Sequence, residues 1–366
     1  MLPESAPGLA LVKSAVRSQA AYTLAAPSAP RKLNQNESPL DLPADLKARI
    51  LARAAALPWH RYPAFVPEAL HARIAARWGW VPEGVLVGNG SNELIQATLA
   101  VVLGEGHAVV TQAPTFALYR LLTAVLGGRY VAVPAPEGFR YDVDTIIARA
   151  RAESARLVIL NSPNNPTGAA LPAGAVERVL AETAAMVVCD EAYQEFGGPT
   201  ATPLLRSSSR LVVLRTFSKA MGIAGLRFGY ALAHPDIARE IAKAKLPYNL
   251  NAITLAAAEL VLEEDALVRS RVAGVVRERA RTIDALRKLP GLRVFPSEAN
   301  FVLVRCEVVP ASEMFTRLHR EHGILVRDVS AAPELEGCLR ISIGTAEDTD
   351  AVIAALRAIL GVRGEE

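Results

Sequence analysis

Long apolar runs are missing from this 366-residue chain. No stretch supplies the roughly 20 uninterrupted apolar residues of a membrane span, and the first 30 residues hold no sustained apolar segment after a basic start. A soluble, uncleaved protein is expected. Cysteine is scarce: Cys189, Cys306 and Cys338 are far apart, odd in number, and lack the paired spacing of a zinc site or redox motif. A reducing cytoplasm is the simplest setting, and the six histidines show no metal-ligand spacing. Excess charge of one sign is also lacking, since 40 basic residues stand against 37 acidic ones, so nucleic acid is not a natural partner. No fixed-period repeat, low-complexity tract or dinucleotide-type glycine fingerprint is found.

What is present is 51% apolar and 21% charged, a balance that excludes disorder as the dominant state and fits an α/β enzyme body. Residues 1 to 30 form an Ala/Pro-rich arm with a short helix expected near Leu9 to Ala20. Helical patterns, "ADLKARILARAAAL" and "EALHARIAARWG", follow between about 42 and 80. From about 85 to 235, the runs "VLVG", "AVVTQAP", "RYVAVPAP", "RLVILNSP", "AMVVCDEA", "LVVLRTFS" and "RFGYALAH" alternate with helix-period segments. That alternation predicts βαβ units and a mostly parallel sheet buried on both faces. After a helical passage over about 252 to 289, the strands and helices suggest a smaller α+β unit.

In such sheets ligands collect beyond the carboxyl ends of strands. After "VLV" comes "GNGSNE", where Gly90, Ser91 and Asn92 make either a plain capped turn or an anion cradle at a helix start. After "AMVVC" comes "DEAY": Asp190 is either a helix N-cap or a buried anion awaiting a cation, with Tyr193 nearby. After "LVVLR" comes "TFSKAMGIAGLRFG". Its Lys219 is either an accidental lysine in a glycine-softened core helix or an amine held in a pocket, flanked by Thr216, Ser218 and the anion clamp Arg227. A ligand needing all three ends should carry a phosphate, a basic ring nitrogen and an electrophilic carbon. Pyridoxal 5'-phosphate fits.

The ordered set "LNQNESP", "RYP", "GNGSNE", "APTFALY", "NSPNNPTG", "DEAY", "TFSKAMGIAGLRFG", "PYNLN", "EANFVLVR", "GILVRD" and "CLRISIGT" covers about residues 33 to 345. It resembles the fold-type I pyridoxal-phosphate-dependent aminotransferases, and among them the histidinol-phosphate aminotransferase family. The resemblance implies a three-layer large α/β domain with a mainly parallel seven-stranded sheet, plus a smaller α+β domain. The corresponding division is an arm at 1–32, a large domain at 33–260 and a small domain at 261–366.

The resemblance also assigns roles. Lys219 becomes the Schiff-base lysine and proton shuttle, Asp190 the partner of the pyridinium, and Asn165 and Tyr193 the partners of the ring hydroxyl. Gly90, Ser91, Asn92, Thr216, Ser218 and Arg227 receive the cofactor phosphate, and Tyr62 of "RYP" reaches it from the other subunit of a homodimer. Phe116 stands where the family often has a stacking tyrosine, so stacking is kept and a hydroxyl contact is lost.

Substrate recognition turns on Arg327 and Arg340, each otherwise a solvated strand arginine. By resemblance, Arg340 grips the α-carboxylate of glutamate and Arg327 helps bind the phosphate of histidinol phosphate. Asn36 and Glu37 line the pocket or order its lid, unless "KLNQNESP" is a simple turn before a helix. Tyr22, Tyr248 and Asn249 are further candidates. The implied substrates are histidinol phosphate and glutamate or 2-oxoglutarate, with a threonine-phosphate decarboxylase-like lyase and a broad aromatic aminotransferase as alternatives.

Overall fold

The computed structural model describes residues 7–19 and 27–362. Each of the seven apolar runs becomes a strand. After a two-residue strand β1 (Arg31–Lys32) come β2 (Val85–Asn89), β3 (Ala108–Ala113), β4 (Arg129–Pro134), β5 (Leu157–Asn161), β6 (Met186–Asp190), β7 (Leu211–Thr216) and β8 (Phe228–Ala233). They form one sheet in the order β2-β8-β7-β6-β5-β3-β4.

Successive residues of the central strands point into different cores. Val158, Leu160, Val187 and Val213 pack on one side, while Leu157, Ile159, Val188 and Val212 pack on the other. Both faces are therefore covered, and each such side chain contributes about 1.5–3 kcal/mol on burial. Only β4, at the edge, alternates, with Val131 and Val133 buried between more exposed neighbours.

β3 to β7 pair in parallel, as expected, but β8 is antiparallel to both β7 and β2. The reason is local. Residues 217–227 hold only a short 3₁₀ turn, Ala224–Leu226, and a parallel return requires a crossover of a dozen or more residues, usually a helix.

Beyond the helices Ala252–Glu263 and Asp265–Arg287 lies a second, antiparallel sheet. Its strands are β9 (Leu292–Val294), β10 (Phe301–Cys306), β12 (Arg327–Asp328) and β13 (Cys338–Ser342), ordered β12-β13-β10-β9; β11 (Ile324–Leu325) pairs with β1 instead. The last helix, Ala346–Ile359, starts with a capping box between Thr345 and Asp348.

The arm differs from expectation. In place of one helix near Leu9 to Ala20, a 3₁₀ turn at Pro7–Leu11 is followed by a four-residue helix, Ser14–Arg17, and Lys13 Nζ donates to the Val125 carbonyl at 3.3 Å. Arg31 and Lys32, placed in the arm on sequence grounds, pair with β11. No described helix is long and apolar enough to cross a membrane.

Candidate active site

β5, β6 and β7 end side by side at Asn161, Asp190 and Thr216. β2 is antiparallel to a strand that is itself antiparallel to β7, so it points the same way and delivers Gly90 and the helix Ser91–Val102 to the same edge. These ends, together with Arg327 and Arg340 from the second sheet, line a cavity of about 1070 Å³.

Lys219 lines it. Its Nζ donates to the Gln35 carbonyl at 2.9 Å and stands 5.6 Å from the centre of the Tyr193 ring. Burial, reinforced by the positive charges of Arg340 and Arg227 against an opposing pull from Glu37, brings the amine from its ordinary value of 10.5 down to about 7. A neutral amine is thus available near neutral pH. This is a pocket lysine, since the segment around it forms no core helix.

Asp190 is 3% exposed. Tyr119 donates its hydroxyl to Oδ2 at 2.6 Å and the Ala192 N–H donates to Oδ1 at 3.1 Å, but among the described residues no cation pairs with the carboxylate. Burial pushes its pKa up. No α-helix follows, so the N-cap alternative fails. A buried carboxylate with neutral donors on one side suits a ligand that brings the cation.

At the other end, the helix Ser91–Val102 begins on Gly90, at φ 77°, with no side-chain cap. The expected capping by Ser91 and Asn92 is not made, because both sit inside the first turn, where their N–H groups face outward from a positive helix end. Arg227 donates to Ser218 Oγ at 2.9 Å, and a Cβ at Gly90 would come within 2.5 Å of Arg227 Nη2. Thr216 Oγ1 accepts from the Ser218 N–H at 3.1 Å. Glycine at 90, hydroxyls at 216 and 218, a guanidinium and a helix start together form an anion cradle.

Between these ends, Asn36 donates from Nδ2 to the Tyr193 hydroxyl at 3.1 Å, accepts at Oδ1 from Ser342 Oγ at 2.9 Å, and adopts φ 55°. Its side chain therefore sets Tyr193 in place. Asn165 accepts from Arg340 Nη1 at 2.5 Å, while Arg340 Nη2 donates to the Asn34 carbonyl at 2.6 Å. Phe116 lines the cavity with its ring edge-on to Tyr119, centroids 5.6 Å apart. Arg327 faces the cavity, and no hydrogen bond or ion pair joins its side chain to a described residue.

Some sequence candidates lie elsewhere. Glu37 accepts from Lys32 Nζ at 2.5 Å, Asn249 donates to Glu93 at 2.7 Å, and neither is among the residues that line the cavity. Tyr62 is 80% exposed, outside its own chain's cavity, and stacked on Tyr248 with centroids 4.4 Å apart. Tyr22 lies outside the described residues.

Other residues were missed. Tyr119 was within the quoted "APTFALY", yet only the fold brings it to Asp190. Gly229 allows Gly90 and Ser91 to lie directly on β8, where a Cβ would meet the Ser91 nitrogen at 2.4 Å; a glycine inside an apolar strand was the available signal. Beneath the site, fully buried Arg215 donates to Glu191 at 2.5 Å and to Glu195 at 3.0 Å, with its guanidinium 4.1 Å from the Trp78 ring centre. This group ties the residue after Asp190 to the residue before Thr216.

An amine, a buried carboxylate and an anion cradle on the strand ends of such a sheet define a pyridoxal-phosphate-type transferase centre. The chain belongs to the class I and II aminotransferases, whose family model matches residues 31–356. Within that family it is 40% identical to the histidinol-phosphate aminotransferase of Chlorobaculum tepidum over 330 residues, covering 89% of this chain and 93% of the relative. The Deinococcus radiodurans histidinol-phosphate aminotransferase is 38% identical over 360 residues, covering 98% and 99%. Among solved structures, the histidinol-phosphate aminotransferase of Sinorhizobium meliloti in complex with pyridoxal-5'-phosphate superposes with a TM-score of 0.83 at 29% identity, covering 91% of each chain.

Proposed function

We propose that this chain exchanges the amino group between L-histidinol phosphate and 2-oxoglutarate, giving imidazole acetol phosphate and L-glutamate in histidine biosynthesis, as a cytoplasmic homodimer. The observation that carries the reaction is likeness to histidinol-phosphate aminotransferases along nearly the whole chain, at 40% and 38% identity. Arg327, which has no hydrogen-bond or ion-pair partner among the described residues and lines the same cavity as the Lys219 amine, agrees with a substrate that brings its own anion.

Pyridoxal 5'-phosphate, when bound, supplies an aldehyde to capture the amino group and a ring to accept electrons from the substrate carbon. Gly90, Ser91, Asn92, Thr216, Ser218 and Arg227 would hold its phosphate, Asp190 its ring nitrogen, Asn165 and Tyr193 its ring hydroxyl, and Phe116 its ring face. Lys219 Nζ, neutral near pH 7, takes the proton from the carbon bearing the substrate amine and returns a proton to the carbon that keeps the nitrogen. Tyr119 donates to Asp190 Oδ2, which leaves the carboxylate's charge to a ring N–H. Arg340, fixed by Asn165 and the Asn34 carbonyl, offers a planar fork to the carboxylate of glutamate, and Arg327 offers one to the phosphate of the other donor.

The homodimer rests on an exposed aromatic group. Trp59, Tyr62 and Phe65 are 69%, 80% and 69% exposed, a combination that suits a covered interface, and Tyr62 would then reach the partner's cofactor phosphate. Arg327→Ala is expected to lower kcat/KM for histidinol phosphate by about 10- to 100-fold, the size of a lost charge-assisted hydrogen bond, and to affect a phosphate-free aromatic amino acid much less. Steady-state kinetics with both donors checks this. Equal losses would make Arg327 a structural arginine.

A further inference from the structure

The cavity continues outward beyond Phe116 to a mouth. One wall is the start of helix Leu118–Val125 together with Tyr130 of β4; the other is the segment 329–335 of the small-sheet region. Arg120 lines this mouth on the first wall. It follows Tyr119, whose hydroxyl is bound to Asp190, in the first turn of the helix Leu118–Val125.

Other arginines of the strands and helices around the large sheet are engaged. Arg129 pairs with Glu153 at 2.6 Å, Arg178 with Asp144 at 2.6 Å, and Arg210 donates to the Ala185 carbonyl at 2.7 Å. Arg120 is exposed and, among the described residues, has no hydrogen-bond or ion-pair partner. The acidic groups at the mouth do not pair with it. Asp328 Oδ1 is occupied by the Ser330 N–H and hydroxyl at 2.8 and 2.6 Å, and Glu334 forms no ion pair with a described residue. Tyr130 supplies a second donor, because burial keeps its phenol protonated, up to about 12, with Arg120 and Glu334 acting on it in opposite senses.

We infer that Arg120, assisted by the Tyr130 hydroxyl, is a second anion-binding residue that receives the phosphate-monoester end of the amino donor from the side opposite Arg327. The inference rests on the proposed reaction. Its chemistry is specific to phosphate: a carboxylate has two coplanar oxygens that one arginine fork can satisfy, whereas a phosphate monoester presents three acceptor oxygens and two negative charges, enough for a guanidinium on each side. Arg120 thereby selects a phosphorylated amine over its phosphate-free counterpart.

The test uses the cofactor-loaded enzyme and its Arg120→Ala, Arg120→Lys and Tyr130→Phe variants, with histidinol phosphate and histidinol as paired donors. Arg120→Ala is expected to lower the kcat/KM ratio of histidinol phosphate to histidinol about tenfold or more, mainly through KM. Arg120→Lys recovers part of the ratio because the charge remains, and Tyr130→Phe lowers it less. The KM for histidinol phosphate should also rise less steeply with salt in the alanine variant than in the parent. An unchanged ratio in Arg120→Ala, beside a parent that prefers histidinol phosphate, overturns the role of Arg120 alone. Equal losses with both donors do so too, marking a structural effect through the Tyr119 helix. A parent with no preference for the phosphorylated donor overturns the proposed reaction, and this inference with it.

Discussion

Lys219→Ala is expected to abolish transamination, with both half-reactions slowed by about 10⁴-fold or more, since proton transfer by a placed side chain alone typically contributes 10²–10⁴-fold. On the proposed mechanism the variant loses two functions at once: the amine that would bond the aldehyde and the base that would carry the proton. Its folding should be spared, because the lysine enters the pocket as a desolvated amine whose hydrogen bond is to the Gln35 carbonyl. The purified variant should lack the visible absorbance of a lysine-bound aldehyde that borohydride abolishes in the parent. In the parent, the rate of cofactor capture by the cofactor-free chain should rise with pH around a midpoint near 7, where the buried amine loses its proton, instead of near 10.5. A variant that keeps the borohydride-sensitive band would remove Lys219 from the chemistry.

Asp190→Asn is expected to lower kcat/KM by between about 10²- and 10⁴-fold, the range covered by removing one partner of a buried ion pair at about 3–5 kcal/mol. Asparagine keeps the shape and can still accept from Tyr119, so the loss is one of charge opposite a cationic ring nitrogen. Stability should move the other way. In the cofactor-free chain the folded Asp190 has a raised pKa, so the folded state holds a proton that the unfolded state has released above the ordinary value of 3.8. Stability is therefore lost as pH rises from that value through the folded one, and the asparagine variant lacks this loss. Thermal unfolding of both cofactor-free proteins against pH checks it. An asparagine variant that is less active and also less stable at neutral pH would make Asp190 a structural residue.

The large sheet was legible because each of its runs is apolar and bounded by turns, from "VLVG" to "RFGYALAH". The direction of β8 was not, since an apolar strand carries no mark of polarity and only the short Lys219 segment forces the antiparallel return. Cavity-lining residues at or shortly after strand ends, such as Asp190 and Lys219, were legible from position alone. Residues acting through others could not. Glu191 and Glu195 look like ordinary acids in "DEAYQEF" until the pairing of Asp190 with Leu214 brings Arg215 against them. Asn36 lines the cavity, and its contacts with Tyr193 and Ser342, invisible in the sequence, form only once the entrance segment lies against β13.

A single turnover tests the proposed function most directly. The cofactor-loaded enzyme is mixed with histidinol phosphate alone and its absorbance followed, then 2-oxoglutarate is added. The visible aldehyde band should give way to the shorter-wavelength amine form with release of imidazole acetol phosphate, and return with formation of glutamate. A band unchanged by histidinol phosphate, or carbon dioxide released from threonine phosphate in its place, would contradict the assignment.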